Sequence, residues 1–227
     1  MADCPVITVD GPGGAGKGTL ARLLAAHFGW HLLDSGALYR ITGHACRALG
    51  VPWDDEAAVA AVARALDTRF RMLEDGTVGV IWADEDVTAA IRSEEGGRGA
   101  SHVAVLPAVR EALLERQRDF RQPPGLIADG RDMGTVVFPD APLKIFLTAS
   151  PEERARRRFE QLRAKGESVS LPRLLEDIKE RDARDSSRSV APLVPARDAV
   201  LIDSTATPVD AVFEAALREA SLRGLSV

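Results

Sequence analysis

The chain predicts an α/β fold, a five-stranded parallel sheet flanked by helices with a smaller insertion, and three observations carry that prediction. Short β-branched runs alternate with Ala-, Leu- and Arg-rich segments of helical period, the rhythm of a parallel sheet wrapped by helices. The first apolar run, Val6–Val9, leads straight into Gly11–Thr19, which reads G-P-G-G-A-G-K-G-T, a glycine-rich loop of the kind that cradles phosphates. Two of the runs end in acids, Asp34 and Asp129, which places carboxylates at the carboxyl edge of the sheet, where open α/β sheets bind their ligands.

The five core strands are read as Val6–Val9, His31–Leu33, Leu126–Ala128, Leu143–Leu147 and Val200–Ile202. The first helix starts within the loop near Gly16 and runs to His27, with Leu20, Leu23, Leu24 and Phe28 on its apolar face. Ser35 is a candidate cap for a second helix that follows Asp34. Between Val51 and Leu106 the alternating rhythm lapses, and Arg69–Trp82 reads as a hairpin with its turn at Glu74-Asp75-Gly76. Leu106–Arg121 returns as a helix with Val109, Leu113 and Leu114 inward, and Pro123-Pro124-Gly125 leads into the third strand. Ser150-Pro151-Glu152-Glu153 is a helix start with Ser as cap, Pro in the first turn and Glu reaching back as a capping box. That helix runs to Lys165, Gly166–Leu171 forms a polar tip, and Pro172–Ser187 is a second helix, so the three pieces have the form of a lid. A final amphipathic helix covers Pro208–Leu222.

Composition narrows the function classes. The 227 residues, 45% hydrophobic, suffice for a core. No apolar run approaches a membrane span, and the N-terminus enters a strand without a signal-like segment. The expectation is a cytoplasmic protein with no membrane partner. Cys4 and Cys46 form no C-x-x-C pair, which leaves no disulfide framework and no zinc spacing. A net charge of −5 argues against a nucleic-acid binder, which needs positive charge to neutralise phosphates. Lys occurs only at 17, 144, 165 and 179, so nearly all cations are Arg, suited to bidentate phosphate and carboxylate pairing. Asn is absent, which removes the Asn-Lys-x-Asp element of guanine-reading switch proteins.

Within the loop, glycines let successive N–H groups turn around phosphate oxygens, Lys17 adds a mobile cation, and the Thr19 hydroxyl reaches a Mg²⁺ ion. Gly18 separates Lys17 from Thr19, a spacing that resembles the G-x-x-G-x-G-K-G-T loop of nucleoside monophosphate kinases. Asp34 is placed near the metal or its waters by its strand-end position, with a purely structural strand-end acid as the competing reading. Ser35 and Arg40, at a helix start, provide a second anion site. Asp129-Gly130-Arg131-Asp132-Met133-Gly134 sets an Arg between two acids at a strand end, with Arg131 to bridge two phosphates and Asp132 to accept from a base amino group or sugar hydroxyl. Arg181, Asp185 and Arg188 share one helix stripe after Arg154, Arg157 and Arg158. A lone stripe of this kind is a solvated ladder; the clustering points to phosphate clamping. Arg156 faces elsewhere, and the histidines and tryptophans show no ligand or base-stacking pattern.

Taken together, these motifs resemble the bacterial cytidylate kinases over essentially the whole chain. H-L-L-D-S-G-A-L-Y-R, V-R-E-A-L-L-E-R-Q-R, I-A-D-G-R-D-M-G-T-V-V-F-P-D-A-P, E-R-D-A-R-D and A-P-L match in order and spacing. Adenylate kinases share the first loop without G-R-D-M-G-T, and thymidylate and shikimate kinases differ in the acceptor motif. The resemblance implies a P-loop kinase core at 1–40 and 107–227, a lid around 154–188, and an acceptor-side insertion at 41–106 that binds CMP. It assigns Gly11, Pro12, Gly13, Gly14, Ala15, Gly16, Lys17, Gly18 and Thr19, with Arg157, to ATP. It assigns Ser35, Tyr39, Arg40, Ser101, Arg110, Arg131, Asp132, Asp185 and Arg188 to the acceptor, CMP or dCMP. Lys17, Arg131, Arg154, Arg158 and Arg181 neutralise the transferring group, Thr19 and Asp34 serve Mg²⁺, and the chain is a monomer. At this level a nucleotide-operated switch with no acceptor, and a kinase of a non-nucleotide acceptor, both stay open.

Overall fold

The computed structural model describes residues 4–72, 78–164, 166–188 and 190–226. They fall into two compact units, divided between residues 32 and 33 and between 120 and 121.

The first unit holds β1 (Val6–Asp10), α1 (Lys17–Phe28) and the start of β2 (His31–Asp34). The second, inserted unit contributes α2 (Ser35–Ala48), α3 (Glu56–Arg64), β3 (Thr68–Met72), β4 (Val78–Trp82), β5 (Glu85–Asp86), α4 (Thr88–Arg92), α5 (Glu94–Val103) and α6 (Pro107–Arg118). The chain then returns to the first unit with β6 (Leu126–Gly130), a π-helical turn (Met133–Val137), β7 (Leu143–Thr148), α7 (Pro151–Ala164), α8 (Leu171–Ser186), β8 (Val200–Asp203) and α9 (Val209–Leu222).

The large sheet runs β2-β6-β1-β7-β8. β1 pairs in parallel with β6 and β7, Ile7 facing Ile127 on one side and Leu143 on the other. Every residue of β1 is buried, as a central parallel strand covered on both faces must be. The predicted apolar face of α1 meets this sheet through Leu20, Leu24 and Phe28, and Val212, Ala216 and Ala220 of α9 join the same core. Leu23 is half-buried. Fully burying a side chain such as Ile7 or Leu24 contributes about 1.5–3 kcal/mol, so the helical period is what fixes α1 against the strands. Gly29 ends α1 in the left-handed region, its N–H on the Ala25 carbonyl.

In the second unit β3, β4 and β5 form a separate antiparallel sheet, Phe70 opposite Val80. The hairpin is therefore present, while its turn at Glu74-Asp75-Gly76 lies outside the described residues. So does Lys165, taken as the end of the first lid helix. Helices dominate this unit: a Cβ built on Gly43 of α2 would come within 2.9 Å of the Gly99 backbone of α5, so this pair crosses at backbone contact. Trp53 closes the crossing by donating its indole N–H to the Gly43 carbonyl at 2.9 Å. It is a packing residue.

Two capping expectations are corrected. Asp34, not Ser35, caps α2: its Oδ1 accepts the Ala37 N–H at 3.0 Å, because the helix begins at Ser35 and the residue before it holds the extended backbone a cap requires. Ser150 does accept the Glu153 N–H at 3.2 Å. Glu153 does not complete a capping box, because its carboxylate is taken by Arg156 and Arg157.

Candidate active site

The strand β1 ends at Asp10 and the chain turns into the loop through three glycines in conformations that L side chains resist, Gly11 (φ 145°), Gly14 (φ 82°) and Gly16 (φ 98°). At Gly11 a Cβ would sit 1.9 Å from the Leu147 carbonyl oxygen of β7. The loop thus lies directly against the neighbouring strand, and α1 starts at Lys17 with no acidic side chain in its first turn. Its positive end is left for an anion. Lys17 is buried, donates to the Pro12 carbonyl at 3.0 Å and stands 3.9 Å from Asp129 at the end of β6. Thr19, in the first turn of α1, is half-buried.

Around this loop the predicted arginines gather. From Gly13, a Cβ position would be 3.4 Å from Arg131 Nη2 and 3.8 Å from Arg181 Nη1. Arg154 is buried and donates to the Gly13 carbonyl at 3.1 Å and to the Ala149 carbonyl at 3.0 Å. Arg157 reaches the Ala15 carbonyl at 3.5 Å and the Ser204 hydroxyl at 3.3 Å. Arg158 is half-buried on the same helix, and Arg156 is exposed and tied to Glu153 and Glu160. Asp185 is buried and bridges Arg131, 2.5 Å from its Nε, to Arg188. The stripe is therefore a part-buried cluster around Asp185. Asp182 and Glu153 are the partners that motif reasoning missed: Asp182 holds Arg154 from α8 and Glu153 holds Arg157. Asp182 reads from sequence as an ordinary helix acid, and Glu153 reads as a capping-box residue.

Burial sets the electrostatics. It pushes Lys17 down to about 8, with Asp129 pulling the other way and Arg131 and Arg181 adding to the fall. For Asp185, burial works against the charged form, yet Arg131 and Arg188 hold its carboxyl below the ordinary value. A polyanion at Lys17 reverses the first balance and raises its pKa. Affinity for a polyphosphate ligand should accordingly fall as pH rises through about 8, by up to about tenfold per unit, with protons taken up on binding. Calorimetric titration at pH 8.5 in two buffers of different ionisation enthalpy measures that uptake, and identical heats in both would refute it.

In the second unit Ser35 is buried and donates to Gln117 Oε1 at 2.7 Å, while Gln117 Nε2 donates to the Leu113 carbonyl. Gln117 lies in the stretch V-R-E-A-L-L-E-R-Q-R, four residues after the inward Leu113, and the motifs assign it no role. Arg110, also buried on α6, stacks over the Tyr39 ring at 5.4 Å and donates to the Ala104 carbonyl, a cation–π arrangement that holds its guanidinium in place. Arg40 donates to the Ile91 carbonyl at 3.1 Å. Ser101 is buried on α5. One oxygen of Asp34 is engaged by the α2 cap. Among the acids of the first unit, Asp129 stands against the loop, with Oδ2 3.4 Å from a Cβ position on Gly18.

A parallel sheet whose first strand opens into a glycine-rich phosphate loop, faced by a bed of arginines, defines a phosphoryl-transfer nucleotide enzyme of the P-loop kinase class. The cytidylate kinase family model matches residues 7–222. The chain is 58% identical to a cytidylate kinase of Stutzerimonas stutzeri over 98% of this chain and 97% of that protein. It is 58% identical to one of Pseudomonas aeruginosa over 98% of each chain, and 59% identical to one of Pseudomonas savastanoi over 98% and 97%. The chain belongs to the cytidylate kinase family.

Proposed function

We propose that this enzyme transfers the γ-phosphoryl group of ATP to CMP and dCMP, giving ADP and CDP or dCDP. The observation that carries the reading is the convergence of Arg131, Arg181 and Arg154 on Gly13 of the loop that holds Lys17. An acceptor phosphate oxygen is already anionic and needs no strong base. It attacks the γ-phosphorus in line, the bond from that phosphorus to the β,γ-bridging oxygen breaks, and ADP leaves with the electron pair. The work left to the protein is to hold two polyanions together and neutralise the charge that moves between them. Lys17, Arg131 and Arg181 take that role, with Arg154 and Arg158 from the first lid helix, Arg157 on the ATP side, and the lid excluding water.

The hydroxyl of Thr19 and the carboxylate of Asp129 flank Gly18 as hard oxygen donors suited to Mg²⁺, which retains waters and binds through phosphates. They fit the metal better than Asp34, whose carboxylate caps α2. When bound, Mg²⁺ supplies charge neutralisation on the donor phosphates. For the acceptor, Asp132 receives the cytosine N4 amino group, and Arg110 and Ser101 donate to its acceptor edge. Ser35, Tyr39, Arg40 and Arg188 serve the monophosphate. Asp185 takes the sugar hydroxyls, and a 3′-hydroxyl suffices, which admits dCMP. Among the described residues no helix is long and apolar enough to cross a membrane, and we place the enzyme in the cytoplasm as a monomer acting on small nucleotides.

A coupled assay with Mg²⁺-ATP and a panel of nucleoside monophosphates tests the reading. CMP and dCMP should turn over fast and UMP and AMP poorly. AMP turnover equal to CMP would end the cytosine assignment, and no CMP binding by calorimetry would favour a switch.

A further inference from the structure

Asp10 closes β1 immediately before Gly11, and no motif claims it. An acid at the mouth of a polyanion site calls for a physical reason. Its carboxylate is 5% exposed and accepts two backbone hydrogen bonds, the Met133 N–H on Oδ1 and the Gly134 N–H on Oδ2, each at 2.8 Å. These amides open the π-helical turn Met133–Val137, which follows directly on Arg131 and Asp132. Within that turn Val136 and Val137 donate to the Asp132 carbonyl, so the first two N–H groups take their acceptor from β1.

The demand is specific to a carboxylate. Asn would offer one acceptor and turn an NH₂ toward the second N–H, and Ser or Thr offers a single oxygen. The platform on either side is rigid: Asp10 lies in register with Gly130 of β6 and Phe146 of β7. Space is equally tight, since a Cβ on Gly134 would meet Thr8 Oγ1 at 2.9 Å and the Lys144 side chain at 3.1 Å. Burial pushes the Asp10 carboxyl up to about 7 against the pull of the two amides, with Asp132 raising it further and Lys17 opposing. The site thus keeps an acid where burial disfavours its charge, and the two amide contacts are the return.

We propose that Asp10 is a positioning residue: by binding the Met133 and Gly134 amides it fixes the Arg131–Asp132 turn to the strand that feeds the phosphate loop. Base selection and charge neutralisation then share one anchor, since Arg131 reaches Gly13 and Asp132 is buried beside it in sequence. The inference rests on Asp132 as the base-selecting residue.

The test is Asp10→Asn, assayed with CMP, UMP and ATP beside a melting curve. The folded variant should raise KM for CMP and lower the CMP-to-UMP ratio of kcat/KM, each by roughly tenfold or more, as expected when a buried donor loses its acceptor. KM for ATP should stay within about threefold, because the loop glycines are untouched and Asp129 outweighs Asp10 among the charges that support Lys17. A folded variant whose CMP-to-UMP ratio matches the wild type overturns the inference; a general loss of stability alone would not move that ratio. Should Asp10→Asn fail to fold, hydrogen exchange on the wild type decides: slow exchange at Met133 and Gly134 supports the clamp, and exchange at the rate of an open loop refutes it. A wild-type enzyme that does not prefer CMP would fail the functional reading instead, and the two failures are separable.

Discussion

Lys17→Ala should lower kcat with CMP by about 10²–10³-fold, the loss seen when a preorganised charge is removed from a transition state. The geometry argues for a catalytic defect with little loss of fold. Lys17 is buried among like charges, Arg131 and Arg181, with Asp129 3.9 Å away, so in the free enzyme its ammonium is held against both burial and repulsion. It donates a hydrogen bond to the Pro12 carbonyl. Removing it relieves as much as it costs until nucleotide arrives, when the missing cation leaves the γ-phosphoryl oxygens short of a counter-charge. A melting temperature within a few degrees of wild type, beside the fall in kcat, is the expected pair of results. Wild-type turnover in a folded variant would remove Lys17 from the mechanism.

What could be read from the chain and what could not separates along physical lines. The strands were legible because apolar β-branched runs such as Val6–Val9 and Leu143–Leu147 demand burial on both faces, and the loop was legible because glycines in that register have few other uses. The insertion was less so. Its small sheet announced itself at Arg69–Trp82, but α3, α4 and α5 are short helices that pack chiefly on α2 and α6, and the composition there gives no single period. The acids of the site were the hardest. Asp182 and Asp10 act through partners far away in sequence, Glu153 acts through Arg157 one helical turn on, and a carboxylate reveals its use only when its partners are located. Asp34 and Ser35 show the same limit at short range: either residue suits a helix cap, and the one-residue choice depends on where the backbone leaves the strand.

Asp132→Ala should collapse acceptor discrimination. Cytosine offers an amino donor at N4 where uracil has a carbonyl, and a carboxylate facing that position rewards one and repels the other. Asp132 is 4% exposed, so water does little to soften either effect, and a buried hydrogen-bonding group of this kind separates substrates far better than shape does. The expected result is a fall of about 10²–10³-fold in kcat/KM for CMP with UMP changed by less than about tenfold, because UMP gains relief from repulsion as it loses nothing it could use. Arg131 remains tied to Asp185 in the variant, so charge neutralisation persists and the loss should fall on base choice. An unchanged CMP-to-UMP ratio would take Asp132 out of base recognition while leaving the phosphate chemistry of Lys17 and Arg131 intact.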